Sequence, residues 1–410
     1  MMVSSGTRST IDRMKRFLFI AIIALAGCSR EGADYRMVLS EMERCPEATW
    51  LDGMEGKMKW NYTTGLELKS FLDTYDFMAP YLSSKGDSTI LEYVDAWYDE
   101  VIDSDGHVGA NYKKSNYNLD HICPARTLFL LQKYRPKEKY ALAIEEIASQ
   151  LKTQPRTEAG AFWHKKAYPY QVWLDGLYMA EPFYAMWAST KANPQRDSLF
   201  SDIALQFKVA AEKTYDPSTG LYRHAWDESR EMFWCDKETG QSAHSWGRAM
   251  GWYAMALVDV LDYFPKDHPE RKELLDILSH ILETLPKYAD PKTGMWYQVL
   301  DSPGREGNYT EATCSAMFSY VYLKSVGMGY YSDREYALST YENLFKTFIR
   351  KEKGGRLTLI RCCAVAGLGG KDNRSGDYDY YINEKITEND PKGIGPFIWA
   401  SRQYGVLKMK

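Results

Sequence analysis

The heptapeptide Asp216-Pro217-Ser218-Thr219-Gly220-Leu221-Tyr222 returns in nearly the same form as Asp290-Pro291-Lys292-Thr293-Gly294-Met295-Trp296. Each copy sets a polar turn and a glycine ahead of an apolar or aromatic stretch. "SDGHVGANY", "EAGAFWHK" and "KGGRLTLIRC" have the same form, with turn glycines at Gly106, Gly160 and Gly355. Successive glycines of this set lie 54–74 residues apart, room for two helices and their loops. The chain therefore reads as repeated helical hairpins. Between the turns, stretches such as "STILEYVDAWYDEVI", "KYALAIEEIASQLK" and "KELLDILSHILETLPKY" carry apolar residues at three- and four-residue spacings. Long alternating strands are absent, which leaves all-β and Rossmann folds without support. A further turn expected at Gly65, in "NYTTGLEL", brings the count to about six units. Six hairpins closing into a ring make an all-α toroid, with loops at one end forming a central funnel. An open solenoid would need more uniform repeats.

Residues 1–27 stand apart from this pattern. Met14-Lys15-Arg16 precedes the short apolar run "FLFIAIIALAG", the form of a secretory signal. Leu25-Ala26-Gly27-Cys28 resembles a bacterial lipobox, which implies lipidation of Cys28 and an extracytoplasmic lipoprotein that meets the membrane only through its anchor. Ser29 gives no strong inner-membrane retention signal, so the outer membrane is expected. Residues 28–410 hold no Pro- or Gly-rich linker, so one domain and a monomer are expected. A net charge of −4 argues against a nucleic-acid partner. Cys45, Cys123, Cys235, Cys314, Cys362 and Cys363 show no metal or disulfide spacing and read as mostly free, buried thiols.

The recurrent loops carry most of the histidines and tryptophans. His164 and Lys165 follow one glycine turn, and His224 and Trp226 follow another. "SWGRAMGWY" places Trp246, Arg248 and Trp252 at a loop-to-helix transition, and "NYNLDHICPAR" places Asp120 ahead of a helix. "YQVWLDGLYMAEPFYAMW" buries Asp175 among aromatic residues. In a closed ring these loops converge on the funnel. An acid at a helix start is ordinarily a cap, and the scattered histidines lack the short spacing of a metal site.

The motifs "YNLDHICPARTLFLL", "FWHKKAYPYQVWLDGLYMAEPFYA", "HAWDES", "SWGRAMGWYAMALVDVLDYFP" and "GDYDYYINEKITENDPKGIGPFIWA" resemble glycoside hydrolase family 105, the unsaturated rhamnogalacturonyl hydrolases. The likeness runs from about Trp60 to the C-terminus. It implies an (α/α)6 barrel that removes an unsaturated uronic acid from lyase-generated oligosaccharides, with no metal or other cofactor. Carried over motif by motif, Asp175 is the catalytic acid and Asp120 a second active-site acid. His164, Lys165, His224, Trp246, Arg248 and Trp252 become substrate-binding residues. Cys123-Pro124-Ala125, beside Asp120, departs from the expected pattern.

The implied chemistry needs one acid. Protonating carbon 4 of the unsaturated ring creates an oxocarbenium-like centre at carbon 5, which water attacks, and the hydrated ring opens. Ordinary glycosidases need two carboxyl groups about 5 Å or about 6.5–9.5 Å apart. A proton donor at neutral pH needs a raised pKa, and Trp173, Tyr178 and Phe183 are expected to desolvate Asp175, against the helix dipole. Two other readings remain at this point. One is a conventional inverting glycosidase using Asp120 and Asp175; the other is a non-catalytic, helical glycan-binding lipoprotein.

Overall fold

The computed structural model describes residues 32–81, 88–109 and 111–409, so the signal segment and Cys28 lie outside the described residues. The long helices are α1 (Ala33–Arg44), α2 (Tyr62–Met78), α3 (Thr89–Val101), α4 (Arg126–Tyr134), α5 (Glu138–Leu151) and α6 (Leu174–Ser189). They continue as α7 (Gln195–Thr214), α8 (Gly247–Val260), α9 (Arg271–Thr284), α10 (Ala312–Met328), α11 (Arg334–Phe348) and α12 (Pro391–Lys408). Strands are two or three residues long and pair only two by two among the described residues.

Helices α2, α4, α6, α8, α10 and α12 pack in sequence, and α12 returns to α2, closing an inner ring. Five outer helices, α3, α5, α7, α9 and α11, each lie on the inner helix that precedes them. The sixth outer helix is α1, which packs on α12, so the two ends of the chain make the last hairpin. This is the expected (α/α)6 barrel.

Sequence explains which helix goes where. Helix α10 buries every residue from Ala312 to Ser325, as a helix apolar on all sides must. Outer helix α9 buries Leu274, Leu278, Ile281 and Leu282, a single stripe at helical spacing. A continuous apolar core joins the two rings, and a small satellite of Trp173, Ala225, Trp234, Cys235 and Leu368 lies apart from it.

The repeated heptapeptide turns alike in both places. Asp216 accepts hydrogen bonds from Ser218 and Thr219, Asp290 accepts from Thr293, and Gly220 and Gly294 take φ of 74° and 68°. Only glycine adopts that region without penalty. Gly65 differs from its expected role. It lies inside α2, not in a turn, and a β-carbon there would come 2.5 Å from Cβ of Pro124. Its small size lets α2 meet the turn Cys123–Ala125. The six described cysteines are free, and all except Cys45 are buried.

Candidate active site

Backbone pairing brings the site together. Strand Gln171–Trp173 runs antiparallel to Ala225–Asp227, with Trp173 opposite Ala225. That register sets His224, one residue before its strand, beside α6, which starts directly after Trp173. The amide of Leu174 donates to the His224 carbonyl at 3.1 Å, fixing the approach. His164 is tied in the same way. Its amide donates to Gln171 and its carbonyl accepts from Leu119, next to Asp120.

Asp120, Asp175, Arg248 and Lys392 are each the second residue of a helical segment that leads into the inner ring. Neither aspartate works as an ordinary cap. Asn118 accepts from the Asp120 amide, and Asp175 accepts no backbone hydrogen bond among the described residues.

The two carboxylates are furnished differently. Asp120 lies 2.6 Å from Lys165 Nζ and 3.5 Å from His164 Nε2. Burial pushes the Asp120 carboxyl up, but Lys165 and His164 outweigh it, and the group sits below the usual carboxylate range. Burial drops His164 to about 4, so at neutral pH Lys165 is the working counter-charge. Lys165 is itself raised: burial opposes its charge, and Asp120 prevails. Asp175 has no such cation. Its Oδ2 lies 3.2 Å from Nε2 of fully buried His224, off the line of a closed hydrogen bond. Catalytic hydrogen bonds are often loose before substrate arrives.

Aromatic rings hold both imidazoles. His164 stacks on Trp173 at 4.8 Å and 5°, and Trp173 stacks on Tyr168 at 5.2 Å and 6°. His224 lies between Trp173 and Trp246, at 5.3 and 4.8 Å. The residues expected to desolvate Asp175 divide. Tyr178 turns onto Trp252 at 4.7 Å, and Phe183 packs on Phe129 at 5.7 Å, leaving Trp173 near the site.

Arg248 is 2% exposed. Its guanidinium lies 4.6 Å over Trp246 and donates to the Cys363 carbonyl at 2.5 Å. No carboxylate comes within 4.0 Å of it among the described residues. Trp252, expected to offer a sugar-stacking face, is 1% exposed against Tyr178 and forms part of the packed wall.

Three residues near the site were not singled out from sequence. Tyr62 opens α2 and feels the charges of Arg248, Asp120, Asp390 and Asp175; burial first of all pushes its phenol well above 10. It also lines a cavity of about 720 Å³ together with Asp120, His121, Asp390 and Lys392. Gln298 accepts from Trp246 Nε1 at 3.1 Å and donates to the Tyr381 carbonyl at 3.1 Å. Tyr381 reaches His224 Nδ1 at 2.7 Å. The useful signal for Tyr62 was its place at an inner-helix start, shared with Asp175 and Arg248. Among the described residues no cluster of His, Cys, Asp and Glu could hold a metal ion.

The helical double ring gathers carboxylates and a buried guanidinium at its inner-helix starts, the layout of an (α/α)6 barrel with its ionisable groups at one end. Residues 35–408 match the family model described as Glycosyl Hydrolase Family 88. A family 105 glycoside hydrolase from C. acetobutylicum ATCC 824 is 39% identical, covers 91% of this chain and 99% of its own, and superposes with a TM-score of 0.84. The chain belongs to this group of glycoside hydrolases, and the family 105 assignment read from its motifs holds. Protein Atu3128 of Agrobacterium fabrum (strain C58 / ATCC 33970) is 36% identical over 54% of this chain and 96% of its own length. Unsaturated rhamnogalacturonyl hydrolase YesR of Bacillus subtilis (strain 168) is 24% identical over 71% and 77%. An unsaturated glucuronyl hydrolase specific for heparin shares the fold at a TM-score of 0.62 and 14% identity.

Proposed function

We propose that this enzyme removes the terminal 4,5-unsaturated uronic acid from lyase-generated oligosaccharides of the pectin or rhamnogalacturonan type, by hydrating the ring's vinyl ether. The observation that carries the reading is the unequal furnishing of the two carboxylates. Lys165 locks Asp120 in its charged form, while Asp175 faces only an imidazole. One carboxyl group is left uncommitted by any lysine or arginine among the described residues, and one is what the chemistry needs. Asp175 delivers that proton to carbon 4. Asp120 offers fixed negative charge to the cationic centre developing at carbon 5. Asp175, now a carboxylate, takes a proton from the attacking water and is restored. The hemiketal then opens to a ketone at carbon 5, leaving at carbon 1 a hemiacetal whose collapse to the aldehyde breaks the glycosidic bond and releases the rest of the oligosaccharide.

Arg248 supports the anionic half of the substrate. A guanidinium buried without a carboxylate partner is costly to leave so, and a uronate supplies the planar, bidentate partner it lacks. His164, Lys165 and His224, expected on the sugar, act on it through the two carboxylates. The inverting-glycosidase reading fares worse, because a carboxylate held down by Lys165 is a poor base for water. The rhamnogalacturonan preference rests on the motif likeness and on the name of the Bacillus subtilis relative. A panel of defined unsaturated disaccharides tests both points. Sugar release with loss of the double bond's ultraviolet absorbance is expected, fastest on rhamnogalacturonan fragments. Release with the absorbance retained would leave the inverting mechanism.

We also infer that the mature chain begins at Cys28 and is lipid-anchored, facing an extracytoplasmic compartment. Stable anchoring needs more than one acyl chain. Labelled-palmitate incorporation should follow the wild type into the membrane fraction and be absent from Cys28→Ser.

A further inference from the structure

His224 is the one side chain that faces the Asp175 carboxylate at ion-pair distance among the described residues, and it has one closed hydrogen bond at its ring. Its Nδ1 meets the Tyr381 hydroxyl at 2.7 Å, while Nε2 faces Asp175 Oδ2 at 3.2 Å. The imidazole is wholly buried, so neither nitrogen can turn to bulk water for a partner. In a neutral imidazole one nitrogen donates and the other accepts, and the partner of one decides the role of the other. Whatever holds Nδ1 therefore decides what His224 offers to Asp175.

Tyr381 is built to hold it. The residue belongs to the short helix Tyr378–Asn383, outside the rings, and is fully buried. Its ring stacks on Trp246 at 5.9 Å and 20°, and Gln298 pins its carbonyl while gripping Trp246 with the other end of the same amide. Burial, ahead of the neighbouring Tyr380 and Asp175, pushes its phenol well above 10, so the hydroxyl keeps its proton at any working pH. A phenol with its proton can donate it to Nδ1.

We propose that Tyr381 is a positioning residue for the reaction: its hydroxyl donates to Nδ1 of His224, fixes the Nε2–H tautomer, and so keeps a donor on the nitrogen 3.2 Å from Oδ2 of Asp175, ready to close when substrate seats the carboxylate. Oδ1 is left to face carbon 4. After the proton has gone to carbon 4, the Nε2–H steadies the carboxylate that must collect the proton of the attacking water. Without the phenol, the imidazole is free to choose the other tautomer and present a lone pair to Asp175. A role confined to packing would depend on the ring, which stacks on Trp246, and not on its oxygen.

This rests on the proposed hydrolysis of unsaturated uronides, and the test separates the two. Tyr381→Phe keeps the stacking ring and removes only the oxygen. Its kcat should fall about 10-fold with KM changed less than about twofold. In a His224→Gln background the same change should add nothing, because the two residues act as one unit. Nitrogen-15 spectra of the wild type should show His224 as the Nε2–H tautomer, and those of Tyr381→Phe a mixture. The proposal is overturned by a wild-type kcat in Tyr381→Phe, by an undiminished effect without His224, or by an Nδ1–H tautomer in the wild type. The spectrum of the wild type decides even if the variant fails to fold. It also needs no substrate, so a wild type inert on every unsaturated uronide would sink the functional reading and leave this one to be judged by the spectrum.

Discussion

Helix α8 carries a buried charge at each end, and the two ends are treated in opposite ways. Arg248 lies in its first turn, a cation at the end where the helix dipole is positive. Asp259 lies in its last turn, an anion at the negative end. Both are misplaced by the dipole, and only Asp259 has ion-pair partners in contact among the described residues. Asp259 accepts hydrogen bonds from Lys324 at 2.8 Å, Arg126 at 2.8 Å and Tyr320 at 2.7 Å. Burial pushes the Asp259 carboxyl up, but Lys324 and Arg126 override it and leave it well below the usual carboxylate range. Arg248 has a carbonyl and an indole face. Where the protein needs a buried charge only to hold its rings, it supplies the counter-charge. At Arg248 it leaves carboxylates only at a distance, Asp390 and Glu311, and none in contact among the described residues.

The largest effect is expected at the compensated end. Asp259→Ala strands Arg126 among buried groups, and removing one member of a buried pair costs about 3–5 kcal/mol. Denaturant unfolding should register that loss, while the protein that remains folded keeps its kcat. A silent substitution would mean that this network is decoration. Next comes the funnel. Asp175→Asn should lower turnover by at least about 10²-fold, roughly 2.7 kcal/mol of barrier, because an amide cannot deliver the proton. The midpoint of unfolding should hardly move. Near-normal turnover by folded Asp175→Asn would remove the residue from its role.

Much of this contrast was legible in the sequence, and the failures have physical causes. The hairpin repeat and ring closure follow from turn glycines and helical periodicity. Helix α12 does not announce itself, because "PKGIGPFIWASRQYGVLK" places Pro396 and Gly395 inside the helix. Its buried position in the inner ring offsets a poor intrinsic propensity. The partnership of α1 with α12 joins the two ends of the chain, and repeat spacing says nothing about such distant contacts. Gly65 looked like a turn because a glycine needed for close packing has the same letter as one needed for positive φ. Asp120, Asp175, His164, Lys165, His224 and Arg248 are named by motif and the structure gathers them, but who pairs with whom is not in the motif. That depends on a two-strand register and on ring orientation. Tyr381 gave no signal: "YDYYIN" holds three tyrosines in a chain with 31.

A smaller effect is expected at the other end of α8. Arg248→Ala should lower kcat/KM on unsaturated uronides by about 10-fold or more, roughly 1.4 kcal/mol, through the lost bidentate contact. It should destabilise the fold less than Asp259→Ala does, since the carboxylates that act on it, Asp390 and Glu311, do so without an ion-pair contact. Lysine at this position should restore only part of the rate, being a point charge without a planar fork. Wild-type kinetics in Arg248→Ala would end this account of substrate recognition.

The smallest effect comes from His164, which lies between the two extremes because its acid, Asp120, already has Lys165. Burial lowers the imidazole to about 4, against about 6.5 in an unfolded chain. Between those values the unfolded chain binds a proton that the folded protein refuses, so stability must fall as pH falls through the window. From about pH 7 to about pH 5.5 this amounts to about 1 kcal/mol. Below about pH 4 both states are protonated and the contribution levels off. His164→Gln cannot titrate and should flatten that part of the stability curve, even if its stability at neutral pH is lower. Unfolding midpoints of wild type and His164→Gln across the window decide the matter. Parallel slopes would mean that His164 is charged in the folded state, and then Asp120 would have two cations at neutral pH instead of one.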